Sequence, residues 1–130
     1  MKKMRDYILM RKVMALAVKH GADDGVKAFF DLGDAGDVES ELARLSSDGL
    51  LQAEIESDCF DNLVRCRVGG LTQEGREFYK LVENPDVWRI VHGTLEAAKV
   101  DVSYPLLKEV CEEIVRRYVT SFIPERVSGR

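Results

Sequence analysis

Hydrophobic residues recur with two different periods in the middle of the chain. A helix is predicted over 38–48, because its apolar residues fall on one face and a turn sequence ends it. Residues 51–55 and 64–68 then alternate apolar and polar, which predicts an antiparallel hairpin with one face in the core. A second helix follows over 72–82, with Thr72 as its N-cap. The apolar positions that define these elements are Val38, Leu42, Leu45, Leu51, Ala53, Ile55, Val64, Cys66, Val68, Phe78 and Leu81.

The alternation in the hairpin also predicts its register. Pairing Ile55 with Cys66 keeps both side chains inward, so Cys66 is expected to be a core thiol. Residues 59–62 form the tip, and Gly69-Gly70 are expected to release the chain from the sheet. The cross-strand pairs that result are Glu54 with Arg67 and Glu56 with Arg65.

One helix and one short strand are predicted before this segment. Residues 3–19 have helical periodicity without Gly or Pro, and Gly21 is suited to end the helix. Residues 26–32 fit either a short strand or a helical turn, and we favour the strand, which leaves a helix-turn-helix motif one helix short. A loop follows, and Asp37 is expected to cap the next helix.

Two further helices are predicted after Pro85. The first starts at Asp86 and places Trp88 in the core or at an interface, whereas His92 on the same helix has no evident catalytic partner. The second starts near Ser103 and carries a broad apolar stripe, which is long for a terminal element. We therefore expect a homodimer. The expected interface residues are Leu107, Val110, Cys111, Ile114, Val115 and Tyr118.

Together these elements predict an α+β, mostly α fold. A winged-helix-like core, formed by helices and a β-hairpin wing, is followed by two C-terminal helices in a single domain over residues 1–122, with a flexible tail over 123–130. A chain of 130 residues, 45% of them hydrophobic, is long enough for one core. No apolar run approaches the ~20 residues that span a bilayer, and the N-terminus lacks a signal-peptide core, so a cytoplasmic protein without a membrane partner is expected.

The net charge of −4 is distributed unevenly along the chain. Residues 1–20 hold six basic and one acidic residue, giving +5, whereas residues 21–62 hold two basic and twelve acidic residues, giving −10. Residues 63–130 hold eleven basic and ten acidic residues, giving +1. The acidic block includes the candidate recognition helix and works against contact with duplex DNA.

Sequence motifs for catalysis or metal binding are absent. The chain has no Walker-type loop, no G-x-S-x-G and no H-E-x-x-H, so an enzyme is not expected. Three cysteines without C-x-x-C spacing and two histidines indicate reduced thiols rather than disulfides or a zinc site. No cofactor and no metal are expected.

Three segments resemble a bacterial and phage family known as domain of unknown function 2513. They are GLTQEGREF at 70–78, DVW at 86–88 and SYPLLKEV at 103–110, and the likeness covers about residues 1–120 in the same order of elements. The resemblance implies a small cytoplasmic protein, often of prophage origin, with a winged-helix-like core. It implies no activity.

Two hypotheses of function follow from these observations. The first is a prophage-type winged-helix transcription regulator that binds duplex DNA as a dimer, by fold-level analogy. The second is an acidic protein–protein interaction module that binds a basic protein partner and not DNA, which the charge distribution favours. The residues expected to contact nucleic acid are Ser40 and Arg44 on the recognition helix, Arg65 and Arg67 on the wing, and Lys2, Lys3 and Arg5 near the N-terminus.

Overall fold

The computed structural model describes residues 5–20, 27–57 and 63–123, which form six helices and one two-stranded antiparallel sheet. The α+β, mostly α class predicted from the sequence is confirmed. The chain forms two compact units, Met1–Tyr79 and Lys80–Arg130, and the single domain expected over residues 1–122 stays a prediction. The elements in chain order are α1 (Tyr7–His20), α2 (Lys27–Phe30), α3 (Ala35–Ser47), β1 (Leu51–Ser57), β2 (Leu63–Leu71), α4 (Gln73–Val82), α5 (Pro85–Ala98) and α6 (Tyr104–Thr120).

The predicted N-terminal helix is confirmed as α1, but it begins at Tyr7 rather than near Lys3. Asp6 fixes the start, because its Oδ1 accepts a hydrogen bond of 3.0 Å from the backbone N–H of Leu9. Lys3 and the predicted end at Gly21 lie outside the described residues. The residues that α1 buries are Tyr7, Leu9, Met10, Val13, Met14 and Ala17.

Residues 27–30 form the short helix α2, so the strand favoured over 26–32 is wrong. The backbone N–H of Asp31 donates to the carbonyl of Lys27 at 3.0 Å, which closes a helical turn. Phe29 is 1% exposed and anchors the turn in the core. Such a short segment has too few residues for periodicity to show, and tertiary packing decides its structure. α2 is thus a single helical turn that precedes α3.

α3 confirms the predicted helix but starts earlier, because Asp34 and not Asp37 is its N-cap. The carboxylate of Asp34 accepts a hydrogen bond of 3.1 Å from the backbone N–H of Asp37, which therefore lies inside the first turn. At the other end Gly49 adopts a φ of 78°, a conformation that favours glycine. The apolar residues Val38, Leu42 and Leu45 are fully buried, as predicted.

The predicted register of the hairpin is confirmed. Ile55 pairs with Cys66, Glu54 with Arg67 and Glu56 with Arg65. β2 nevertheless continues through both glycines to Leu71, which pairs with Leu51, so the expectation that Gly69-Gly70 leave the sheet is wrong. The register shifts between Leu51 and Ala53, and the extra residue is accommodated there as a bulge. Residues 58–62, which contain the predicted tip, and the side chain of Cys66 lie outside the described part.

The segment Leu71–Gly75 joins the hairpin to α4 and ties both to the end of α3. Thr72 is the N-cap that the sequence predicts, since its Oγ1 accepts a hydrogen bond of 3.0 Å from the backbone N–H of Gly75. The same hydroxyl donates to the carbonyl of Gly49 at 2.6 Å, and the Thr72 N–H donates to the carbonyl of Leu50 at 2.9 Å. A Cβ at position 75 would lie 2.0 Å from the Leu50 carbonyl oxygen, so only glycine allows this approach. The segment Leu71–Gly75 therefore has a structural role here.

The second unit contains α5 and α6, which pack on each other. α5 begins at Pro85, one residue before the predicted Asp86, because the side chain of Asn84 caps it by accepting from the N–H groups of Asp86 and Val87 at 2.8 and 3.2 Å. Trp88 is buried, as expected. The buried residues of this unit that the structure describes are Val82, Val87, Trp88, Val91, Leu95, Val102, Leu107 and Cys111.

Cys111 is expected to resist alkylation in the folded protein. The residue is fully buried, and burial raises the pKa of its thiol to about 12, so almost no thiolate forms near neutral pH. A Cys59→Ser/Cys66→Ser background leaves Cys111 as the one thiol in the chain, and its modification by a maleimide at about pH 7 should follow the rate of unfolding. Rapid stoichiometric labelling without denaturant, in a variant whose circular dichroism is native, would contradict the buried position.

Candidate nucleic-acid interface

The outward face of α3 is built from small residues without charge. Its exposed positions are Ala35, Gly36, Ser40, Ala43 and Ser47, and none of them is acidic. Asp37 and Glu39 are half-buried, and Asp37 lies in the first turn, where a carboxylate interacts favourably with the helix dipole. The charge count along the sequence therefore overstates the negative charge on this face.

Glu41 is the acidic residue of α3 that the fold removes from the surface. It is 4% exposed and accepts hydrogen bonds from Arg5, whose Nε lies 3.1 Å from Oε1 and 3.2 Å from Oε2. A second guanidinium nitrogen of Arg5 also donates to Glu41. Burial raises the pKa of the Glu41 carboxyl, while the adjacent Arg5 cation opposes that shift.

Arg5 is removed from the predicted phosphate contacts. Its side chain is only 2% exposed and lies between Glu41 and Asp48, with 3.9 Å separating its Nη1 from the Asp48 Oδ2. A guanidinium held in this way joins the segment before α1 to α3 and does not reach a phosphate outside the protein. Lys2 and Lys3, the other predicted N-terminal contacts, lie outside the described residues.

The other predicted contacts on α3 occupy different environments. Ser40 is exposed at the middle of the helix, and its hydroxyl can both donate and accept hydrogen bonds. Arg44 is half-buried in the last turn and helps to hold down the pKa of Glu41. Ser40 is therefore the more accessible of the two residues.

The predicted wing contacts lie on β2. Arg67 is exposed and stands opposite Glu54 across the hairpin, as the register predicts. Arg65 stands opposite Glu56, and its side chain lies outside the described part. Cross-strand pairs of opposite charge contribute only about 0.2–1 kcal/mol to stability. Arg67 can therefore bind a phosphate in place of Glu54 with little loss of stability.

The predicted dimer surface is only partly exposed. Leu107 and Cys111 are fully buried within a single chain and are removed from the candidate interface. Ile90 and Val119 are among the exposed apolar residues of this unit. The homodimer stays a prediction. The remaining candidates, all half-buried, are Val110, Ile114, Val115 and Tyr118.

His92 has neighbours that the sequence analysis missed. Its Nδ1 lies 3.2 Å from the Glu96 Oε1, and its ring stacks on Trp88 with a centroid separation of 5.7 Å. Trp88 and Glu96 each lie four residues from His92, a spacing that brings side chains together on one face of a helix. Glu96 is mostly exposed, and in the described part of the chain no group of histidine, cysteine and carboxylate side chains could hold a metal.

The pairing of Arg5 with Glu41 was also missed, because 36 residues separate the two in sequence. One signal for it was available. Glu41 falls between Val38 and Leu45 on the apolar face of the helix, and a charged residue at a core position requires a partner.

No family model matches the chain, and no curated protein or solved structure matches it at a significant level. The resemblance to domain of unknown function 2513 therefore stays a prediction. Among the described residues no helix is both long enough and apolar enough to cross a membrane.

Proposed function

We propose that the protein is a winged-helix transcription regulator that binds duplex DNA through α3 and the β1–β2 hairpin. The single observation that carries this proposal is that none of the five exposed positions of α3 carries a carboxylate, despite the acidic sequence around them. Helices α1, α2 and α3 followed by a hairpin also occur in the order expected for this class of protein.

The small side chains on α3 suit insertion into a major groove. Gly36, Ser40 and Ala43 would allow the helix to approach base edges closely, since no long side chain keeps it away. Ser40 can hydrogen-bond to a base edge, and Ala43 can contact a thymine methyl group. Arg67 would then bind a phosphate and position the protein on the duplex without reading sequence.

The Ser40→Glu substitution is expected to weaken duplex binding at least tenfold. A carboxylate at the centre of the exposed face would meet the negative potential of the groove, and juxtaposed like charges cost several kcal/mol, of which about 1.4 kcal/mol already corresponds to tenfold. Fluorescence anisotropy with duplexes from the region upstream of the gene, at about 50 mM salt, measures the change. Ala97→Glu on the exposed side of α5 adds the same charge elsewhere and should change the affinity much less.

Arg67→Ala should weaken binding to every duplex to a similar extent and reduce the slope of log K against log salt by about one. A change confined to one sequence would instead mean that Arg67 reads a base.

The competing proposal is an interaction module that binds a basic protein partner. The observation that favours it is the charge of −10 over residues 21–62. Absence of duplex binding at low salt, together with a basic partner whose binding is lost in Glu39→Lys, would replace the DNA-binding proposal with this one.

A further inference from the structure

The outward face of α1 combines cations with exposed apolar side chains. Ile8 and Val18 are 42% and 52% exposed, and Lys12 and Lys19 are exposed on the same side of the helix. Positions 8, 12, 15 and 19 follow the spacing that aligns residues along one helix face. α1 contains no acidic residue, so no carboxylate of its own helix neutralises this face.

This face differs from an ordinary solvated helix surface. Isolated exposed apolar residues are normal on proteins, but here Ile8 and Val18 share one side of the helix with Lys12 and Lys19. The strip from Ile8 to Lys19 is about 17 Å long at 1.5 Å per residue, which matches about three turns of a second helix. The opposite side of α1 packs in the core, where Met10, Val13 and Met14 are fully buried.

Three classes of partner fit this strip poorly. A second copy docked symmetrically through the same face would bring lysines together, which opposes association. A lipid surface requires a larger apolar area, usually with aromatic residues, than Ile8 and Val18 provide. Nucleic acid would use the lysines, but phosphate contacts do not need the apolar side chains between them.

We propose that the outward face of α1 docks an acidic amphipathic helix of another protein. The apolar side of that helix would cover Ile8, Ala15 and Val18, and its carboxylates would flank Lys12 and Lys19. This is recognition of a helix by complementary apolar and charged strips. The surface is separate from the outward face of α3, and the inference does not depend on DNA binding.

A synthetic helical peptide of about 18 residues tests the proposal, with leucine at every third or fourth position and glutamate between. Its length is chosen to exceed the strip at 1.5 Å per residue. A scrambled peptide of the same composition keeps the charge but loses the apolar face. The peptide should bind the intact chain in an anisotropy titration, at least tenfold more tightly than the scrambled control, and more tightly at low salt.

Two double variants should each weaken peptide binding at least tenfold: Ile8→Ser/Val18→Ser through the apolar contacts, and Lys12→Glu/Lys19→Glu through the charges. All four side chains are exposed, and circular dichroism checks that the variants fold. Lys27→Glu/Lys80→Glu makes the same change in net charge at other exposed lysines and should leave the affinity within about twofold.

Equal binding of the ordered and scrambled peptides would overturn the proposal, because it would show non-specific attraction. Failure of the ordered peptide to bind would also overturn it. Binding of vesicles with anionic lipid, without binding of the peptide, would overturn the proposal in favour of a lipid surface. Self-association in light scattering that Lys12→Glu/Lys19→Glu abolishes would overturn it in favour of a second copy of the chain. Loss of duplex binding in that variant, with peptide binding unchanged, would assign the lysines to phosphate contacts instead.

Discussion

Arg5→Met is expected to destabilise the protein by about 3–5 kcal/mol, because it leaves the carboxylate of Glu41 buried without its cation. Glu41→Leu should cost less, since Arg5 lies before the first helix and its long side chain can turn toward water. Urea unfolding followed by circular dichroism gives the free energies of unfolding. Arg5→Met is expected to lower the free energy of unfolding more than Glu41→Leu does.

The double variant Arg5→Met/Glu41→Leu should recover most of the stability lost in Arg5→Met, because apolar side chains can replace a buried ion pair at little net cost. Arg116→Met breaks an exposed contact with Glu113 on α6 and should change the stability by no more than about 0.5 kcal/mol. If Arg5→Met and Arg116→Met lower the free energy of unfolding equally, the pair of Arg5 and Glu41 is not buried in the way that the structure shows.

The pH dependence of stability gives an independent check on Glu41. Because burial raises its pKa above the ordinary value of 4.5, the folded state holds the proton at a pH where the unfolded state has lost it. The stabilisation from this group is therefore fully present below the unfolded pKa and is lost as pH rises through the folded pKa. Removing the Arg5 cation raises the folded pKa further, so Arg5→Met should be less destabilising at about pH 5 than at about pH 7. Glu41→Gln should remove this difference.

Gly75→Ala is expected to destabilise the fold by about 3 kcal/mol or more. The added Cβ would lie 2.0 Å from the oxygen and 2.9 Å from the carbon of the Leu50 carbonyl, so backbone has to move. That displacement would also disturb the hydrogen bonds that Thr72 makes to Gly49 and Leu50. Thermal and urea unfolding measure the loss.

Gly93→Ala is the matched control, because Gly93 lies inside α5 and a Cβ there would meet nothing within 4 Å. The same substitution should therefore stabilise the protein by about 0.5–1 kcal/mol through helix propensity. A neutral effect of Gly75→Ala would mean that α4 does not approach the end of α3 so closely.

The sequence determined the elements whose signal repeats over many residues. The apolar faces of α1, α3 and α6 and the alternation in the hairpin are local patterns, and a shift of one residue in the hairpin would turn its apolar side chains toward water. This physical constraint explains why the pairing of Ile55 with Cys66 could be predicted. The cap at Thr72 could be predicted for the same reason, since capping depends on residues three positions apart.

Only the tertiary structure decided the features that depend on distant contacts. A segment as short as α2 has no usable periodicity, and burial of Phe29 decides its conformation. Leu107 and Cys111 belong to the core rather than to an exposed surface, because an apolar stripe does not reveal what covers it. The charge of α3 is the clearest case. Counting carboxylates along the chain predicts an acidic helix, but Glu41 pairs in the interior with Arg5, 36 residues away in sequence, and the five exposed positions of α3 carry no charge.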